Sequence, residues 1–84
     1  MKWALEEATY TMLNDKGEEV IRLTWDRCSE SWELYFSIGA DGVSTYLGDI
    51  KRKQNTDIEG LKNEAVQVVI DFVSNFAKSL KEQL

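Results

Sequence analysis

Any chemistry in this chain has to be built from one cysteine, fifteen carboxylates and ten cations, with no histidine. General acid–base catalysis near neutral pH most often uses histidine, so its absence removes the commonest proton carrier. Cys28 stands between Arg27 and Ser29, beside a cation of the kind that neighbours reactive cysteines. Without a histidine it lacks the base that normally activates a cysteine nucleophile. Asp26 with Glu30 or Glu33 has the composition of a glycosidase carboxylate couple. In so acidic a chain such pairs arise by composition alone, and 84 residues leave little room for a deep cleft. The acids show no EF-hand spacing, and one cysteine cannot form a thiolate or mixed Cys/His zinc site. The expectation is no enzyme, no metal and no cofactor.

Binding is the alternative to catalysis. The one basic run, Lys51-Arg52-Lys53, followed by Gln54 and Asn55, could touch phosphate or an acidic partner. It is shorter than the runs that mark nucleic-acid patches, and a solvated loop is the plainer reading. Residues 1–50 carry ten carboxylates and four cations, a net −6, whereas residues 51–84 carry a net +1. The acidity therefore belongs to the first part of the chain. Such a field repels phosphate backbones and attracts basic proteins, although mild acidity also serves solubility.

The elements that would display these residues follow from hydrophobic period. Trp32, Leu34, Phe36 and Ile38 alternate with Ser31, Glu33, Tyr35 and Ser37, and Ile21, Leu23 and Trp25 alternate with Arg22, Thr24 and Asp26. A period of two predicts strands, joined by a polar turn at Arg27-Cys28-Ser29-Glu30. Asp41-Gly42 suits a hairpin turn, after which Val43, Thr45 and Leu47 are expected inward, with Ser44 and Tyr46 outward. Thr9-Tyr10-Thr11-Met12-Leu13 reads as a first strand, closed by an Asn14-Asp15-Lys16-Gly17 turn. Residues 2–8 either extend it through a bulge or form a helical turn, and the strand is preferred. Short loops between sequential strands favour an antiparallel meander.

The last third of the chain is helical. Ile58, Leu61, Ala65, Val68, Val69, Phe72, Phe76 and Leu80 form one stripe at helical spacing, and Val66, Ile70, Val73, Ala77 and Leu84 form a second beside it. Together they span roughly 200°, against the ~100° that a helix lying on a sheet needs. Thr56-Asp57-Ile58-Glu59 has the form of a capping box with Thr56 as N-cap. The expected fold is a single α+β domain over residues 1–84. It is a four-stranded antiparallel β-meander (about residues 2–50), a loop (51–55) and one C-terminal α-helix (about 57–82) packed on one face, ββββα. The helix stripe from Leu61 to Leu80 is expected to close over Tyr10, Met12, Ile21, Leu23, Trp25, Trp32, Leu34, Phe36, Ile38, Val43 and Leu47. Phe36→Ala or Phe72→Ala should then cost on the order of 3–5 kcal/mol.

What packing leaves over is the candidate for function. Val66, Ile70, Val73 and Ala77 have the spacing of a helix–helix seam, and a two-fold homodimer is the simplest partner. Cover within one chain, by a strongly curved sheet or by residues 2–8, is the competing reading. Glu19, Arg22, Glu33, Tyr35 and Tyr46 would share the open sheet face as a protein-binding patch, since Tyr and Arg are enriched in hot spots. The same tyrosines could stack single-stranded nucleic acid, but the surrounding acids oppose it. No stretch approaches the ~18–20 apolar residues of a membrane span. The start of the chain does not read as a secretory signal, and one unpaired thiol suits a reducing cytoplasm. The expectation is a small, acidic, cytoplasmic protein-binding module that meets a basic protein. One form of it is an inhibitor that covers a nucleic-acid-binding surface, as phage anti-defence proteins can do. A structural subunit that oligomerises through its helix is the alternative.

Overall fold

The computed structural model describes residues 2–6, 8–37, 43–54 and 57–83. Within them an antiparallel sheet runs in sequence order through β1 (Lys2–Glu6), β2 (Thr9–Leu13), β3 (Glu19–Asp26), β4 (Ser31–Ser37) and β5 (Ser44–Ile50). One helix, α1 (Ile58–Glu82), follows. The meander and its C-terminal helix are those expected from the sequence. The segment before Thr9 is a strand, as preferred, but it folds back as a separate hairpin arm: Trp3 pairs with Met12 and Leu5 with Tyr10. The alternating pattern continues through this arm, which places Trp3 and Leu5 on the face of Tyr10 and Met12.

The turns have identifiable local causes. Asn14 Oδ1 accepts from the backbone N–H groups of Lys16 and Glu18 at 2.9 and 3.0 Å, and Gly17 supplies the positive φ of 78° that closes the β2–β3 hairpin. In the β3–β4 turn, Asp26 accepts from the Cys28 backbone N–H and the Ser29 hydroxyl. These bonds, the Ser29 hydroxyl first, hold the Asp26 carboxyl below its ordinary pKa.

A register shift between Leu34 and Tyr35 inserts one extra residue into β5: Tyr35 pairs with Tyr46, but Leu34 pairs with Gly48. Gly48 takes φ 115°, a conformation that glycine reaches without strain. The bulge reverses the parity of the strand. Ile50 is thereby buried opposite Trp32, a core position that the alternation does not reveal. Val43, expected inward, is exposed, and so is Thr45, although Thr45 pairs with Phe36 on the helix side. Leu47 packs against the core as expected.

The buried core joins Ile21 and Leu23 of β3, Trp32 and Leu34 of β4 and Ile50 of β5 to Leu61, Ala65 and Val69 of α1. Tyr10, Met12, Trp25 and Phe36 are half-buried against it, while Ile38 lies outside the described residues. The rings of Tyr10 and Trp25 lie 5.5 and 5.4 Å from that of Trp32, whose buried indole N–H has no hydrogen-bond acceptor among the described residues. The Lys62 ammonium lies 5.5 Å from the ring centres of both Trp3 and Tyr10 and 3.6 Å from the Glu59 carboxylate.

The cap of α1 is Asp57, whose side chain accepts from the Gly60 N–H at 3.1 Å. Thr56, the cap expected from sequence, lies outside the described residues. Asp57 adopts a left-handed φ of 50°, which short polar side chains tolerate better than most. A Cβ on Gly60 would collide with the Asp57 carboxylate, so the glycine inside the first turn makes room for the cap.

The larger departure concerns the far end of the helix. Val69 is the last buried residue of α1, and residues 70–83 are all exposed. Phe72, Phe76 and Leu80, expected to close over the sheet, do not. Phe72 reaches the Phe36 ring edge-on at 6.3 Å but remains 39% exposed. The large loss expected for Phe72→Ala applies instead to Leu61, which is fully buried.

Candidate protein-binding surfaces

Residues 70–83 extend about 20 Å beyond Val69 at 1.5 Å per residue. Around this segment Ile70, Phe72, Val73, Phe76, Ala77 and Leu80 fall within roughly 160° of arc, and Asp71, Ser74, Asn75, Lys78 and Lys81 occupy the remainder. Ile70, Val73, Phe76 and Leu80 are 50, 43, 56 and 54% exposed, far more than core side chains retain. Val66, by contrast, is half-buried against the core. Three of the four seam residues expected from sequence, Ile70, Val73 and Ala77, are thus open. They are joined by Phe72, Phe76 and Leu80, which the periodicity assigns to the core. Phe36, Thr45, Phe72, Val73 and Phe76 line an apolar groove of about 470 Å³ where the helix leaves the sheet.

The sheet face opposite α1 gathers the other expected patch. Tyr35 and Tyr46 are cross-strand neighbours with ring centres 5.4 Å apart. The Arg22 guanidinium lies 4.7 Å above the Tyr35 ring and 3.5 Å from Glu19, which also accepts from the Ser37 hydroxyl. The Tyr35 hydroxyl donates to Glu33 and the Tyr46 hydroxyl to Asp49. All five expected residues, Glu19, Arg22, Glu33, Tyr35 and Tyr46, form one contiguous array. Asp49, one of the acids expected on these strands but not among the five patch residues, joins them because the bulge at Gly48 turns it outward beside Glu33. Burial, then the charge of Glu33, raises the Tyr35 pKa. The hydrogen bond to Asp49, then burial, pushes Tyr46 up to about 12. Both rings stay neutral hydrogen-bond donors over the physiological range.

Cys28 is exposed in the β3–β4 turn, and among the described residues its thiol makes no hydrogen bond. Among those residues no three His, Cys, Asp or Glu side chains group to hold a metal ion, and no helix is long and apolar enough to cross a membrane. No family model, no curated protein and no solved structure matches this chain.

Proposed function

We propose that this chain is a non-enzymatic protein-binding module that pairs with a second copy through the free half of α1. The observation that carries this reading is the set of open apolar residues, Ile70, Val73, Phe76 and Leu80, on a helix segment in which no residue is buried. An isolated helix of about 14 residues is marginal in water, so this segment needs a covering surface to stay ordered. A second copy supplies one of matching chemistry and length. Val73, Phe76 and Leu80 have the 3–4 spacing of a heptad seam. In an antiparallel pair with its two-fold axis between Ser74 and Asn75, Val73 of each copy faces Phe76 of the other, at the mouth of the groove beside Phe36. The small side chain of Ala77 falls opposite Phe72. The five large side chains of this patch expose on the order of 400 Å² per copy. That places the pair among the smaller specific interfaces and makes its assembly depend on concentration.

The test is the solution mass of Val73→Asp and Ile70→Lys beside the parent protein. Both variants should be folded monomers under conditions where the parent is a dimer. A parent that stays monomeric at high concentration refutes the pairing. Variants that fail to fold would show the seam to be core.

The acidic sheet face supports a second partner. Glu19, Glu33 and Asp49 surround two neutral tyrosines, and the nearby cation Arg22 is already paired with Glu19. This chemistry suits a basic protein, and an inhibitor that covers a nucleic-acid-binding surface in the cytoplasm is the form we favour. With polylysine as probe, Glu19→Lys with Glu33→Lys should weaken binding and flatten its salt dependence. Unchanged affinity and salt slope would dismiss the acidic face as a binding surface.

A further inference from the structure

The run Lys51-Arg52-Lys53 is not an isolated stretch of charge, although Lys51 and Lys53 are exposed. It forms one wall of an open groove of about 710 Å³, whose other wall is the β3–β4 end of the sheet with Trp25, Arg27 and Glu30. Arg27, distant in sequence, thus joins the three loop cations in a chain whose net charge is −5. Arg52 is fixed there: its Nε donates to Glu64 at 3.1 Å and its Nη1 to Asp57 at 3.3 Å. Arg27, Lys51 and Lys53 are exposed, and none forms an ion pair with a described carboxylate.

Arg27, Lys51 and Lys53 outnumber Glu30, the one carboxylate that lines the groove, so its local charge is positive and attracts an anion. Trp25 is half-buried, with its ring edge-on to Trp32, and brings an aromatic wall into the same groove. Glu30 has φ 50°, a left-handed conformation that costs energy for a side chain of its kind. It places a carboxylate among the cations that line the groove. The volume falls in the range of small-molecule sites.

We propose that this groove binds a nucleoside phosphate. Arg27, Lys51 and Lys53 take the phosphate oxygens by charge-assisted hydrogen bonds, Trp25 lies against the base, and Glu30 accepts from ligand hydroxyls. A free mononucleotide fits better than a polymer. The acidic outer face repels phosphates that run on beyond the groove, whereas at physiological salt its charges are screened over about 8 Å and leave a small anion unhindered.

Calorimetric titration of the full chain with ADP, pyrophosphate, adenosine and an eight-residue deoxyoligonucleotide tests this. ADP should bind saturably and at least about tenfold more tightly than pyrophosphate or adenosine, since charge and stacking each contribute. Arg27→Gln with Lys53→Gln, both on exposed side chains, should weaken ADP at least about tenfold. The pyrophosphate comparison tests the Trp25 contact without a substitution beside the core. The pairing variant Val73→Asp should bind ADP like the parent, so failure of the dimer and failure of this site are distinguishable. Absence of saturable ADP binding, an unchanged affinity in the Arg27/Lys53 variant, or pyrophosphate binding as tightly as ADP would overturn the proposal. So would an oligonucleotide bound more than about tenfold tighter than ADP.

Discussion

The two halves of α1 have the same texture and opposite surroundings. From Ile58 to Val69 the apolar stripe lies on the sheet, and Leu61, Ala65 and Val69 are buried. From Ile70 onward an equally apolar stripe meets the sheet only at its edge, where Phe72 reaches Phe36, and every residue stays exposed. The difference is one of length. A seven-residue strand such as β4 spans about 23 Å, whereas a 25-residue helix spans about 37 Å. Helical periodicity therefore reports which side of a helix is apolar. What covers that side is decided by how far the neighbouring element reaches.

The sharpest way to break this contrast is to truncate one large side chain in each half. Leu61→Ala should cost about 2–5 kcal/mol, because it opens a fully enclosed site. Phe76→Ala, on a side chain 56% exposed, should change the stability of the monomer by less than about 1 kcal/mol. Urea denaturation at low protein concentration reads both. Equal losses would mean that the two halves are packed alike.

Backbone conformation gives the next effects. Gly48→Ala should destabilise by about 1–3 kcal/mol through its φ alone, since a Cβ there meets nothing within 4 Å. A neutral result would remove the bulge as the device that turns Ile50 inward and Asp49 outward. Glu30→Gly should have the opposite sign and stabilise by up to about 1 kcal/mol, by relieving a left-handed glutamate. It should also weaken ADP if that side chain serves the groove. A gain in stability without a change in ADP affinity would reduce Glu30 to a turn residue.

The smallest expected effect is a pH dependence. Tyr46 has a folded pKa of about 12, above the ordinary value of 10.0. Its neutral form is favoured in the native state, so this contribution to stability is complete below pH 10 and fades as pH rises through 12. Tyrosinate absorbance should show a Tyr46 component titrating near 12, and Asp49→Asn should bring that component to lower pH. Unchanged titration in that variant would exclude the Tyr46–Asp49 hydrogen bond as the cause.

Much of the fold was legible because the pattern is regular where the chain is regular. Ile21, Leu23, Trp32 and Leu34 alternate without interruption and form the core. The β5 parity was not legible, because one inserted residue at the bulge reverses every side chain beyond it, and Gly48 alone does not announce a bulge. The separate β1 arm was hidden by the helix-favouring composition of residues 4–8. Of the candidate surfaces, Arg22, Glu33, Tyr35 and Tyr46 could be placed on one face because strand alternation puts them there, whereas Glu19 has the parity of Ile21 and joins them through the register shift opposite Met12 and Leu13. Phe72, Phe76 and Leu80 could not be separated from core residues, since period alone carries no information about where a sheet ends. The meeting of Arg27 with Lys51 and Lys53 depends on tertiary proximity across 24 positions of sequence, which no local pattern encodes.

The most direct test of the account is the solution mass of the parent chain over a dilution series, with helical circular dichroism followed on the same samples. A fall from twice the mass of one chain to a single mass on dilution, with a matching loss of helical signal as residues 70–83 lose their cover, is the predicted result. One chain mass with an unchanged helical signal at every concentration would contradict it.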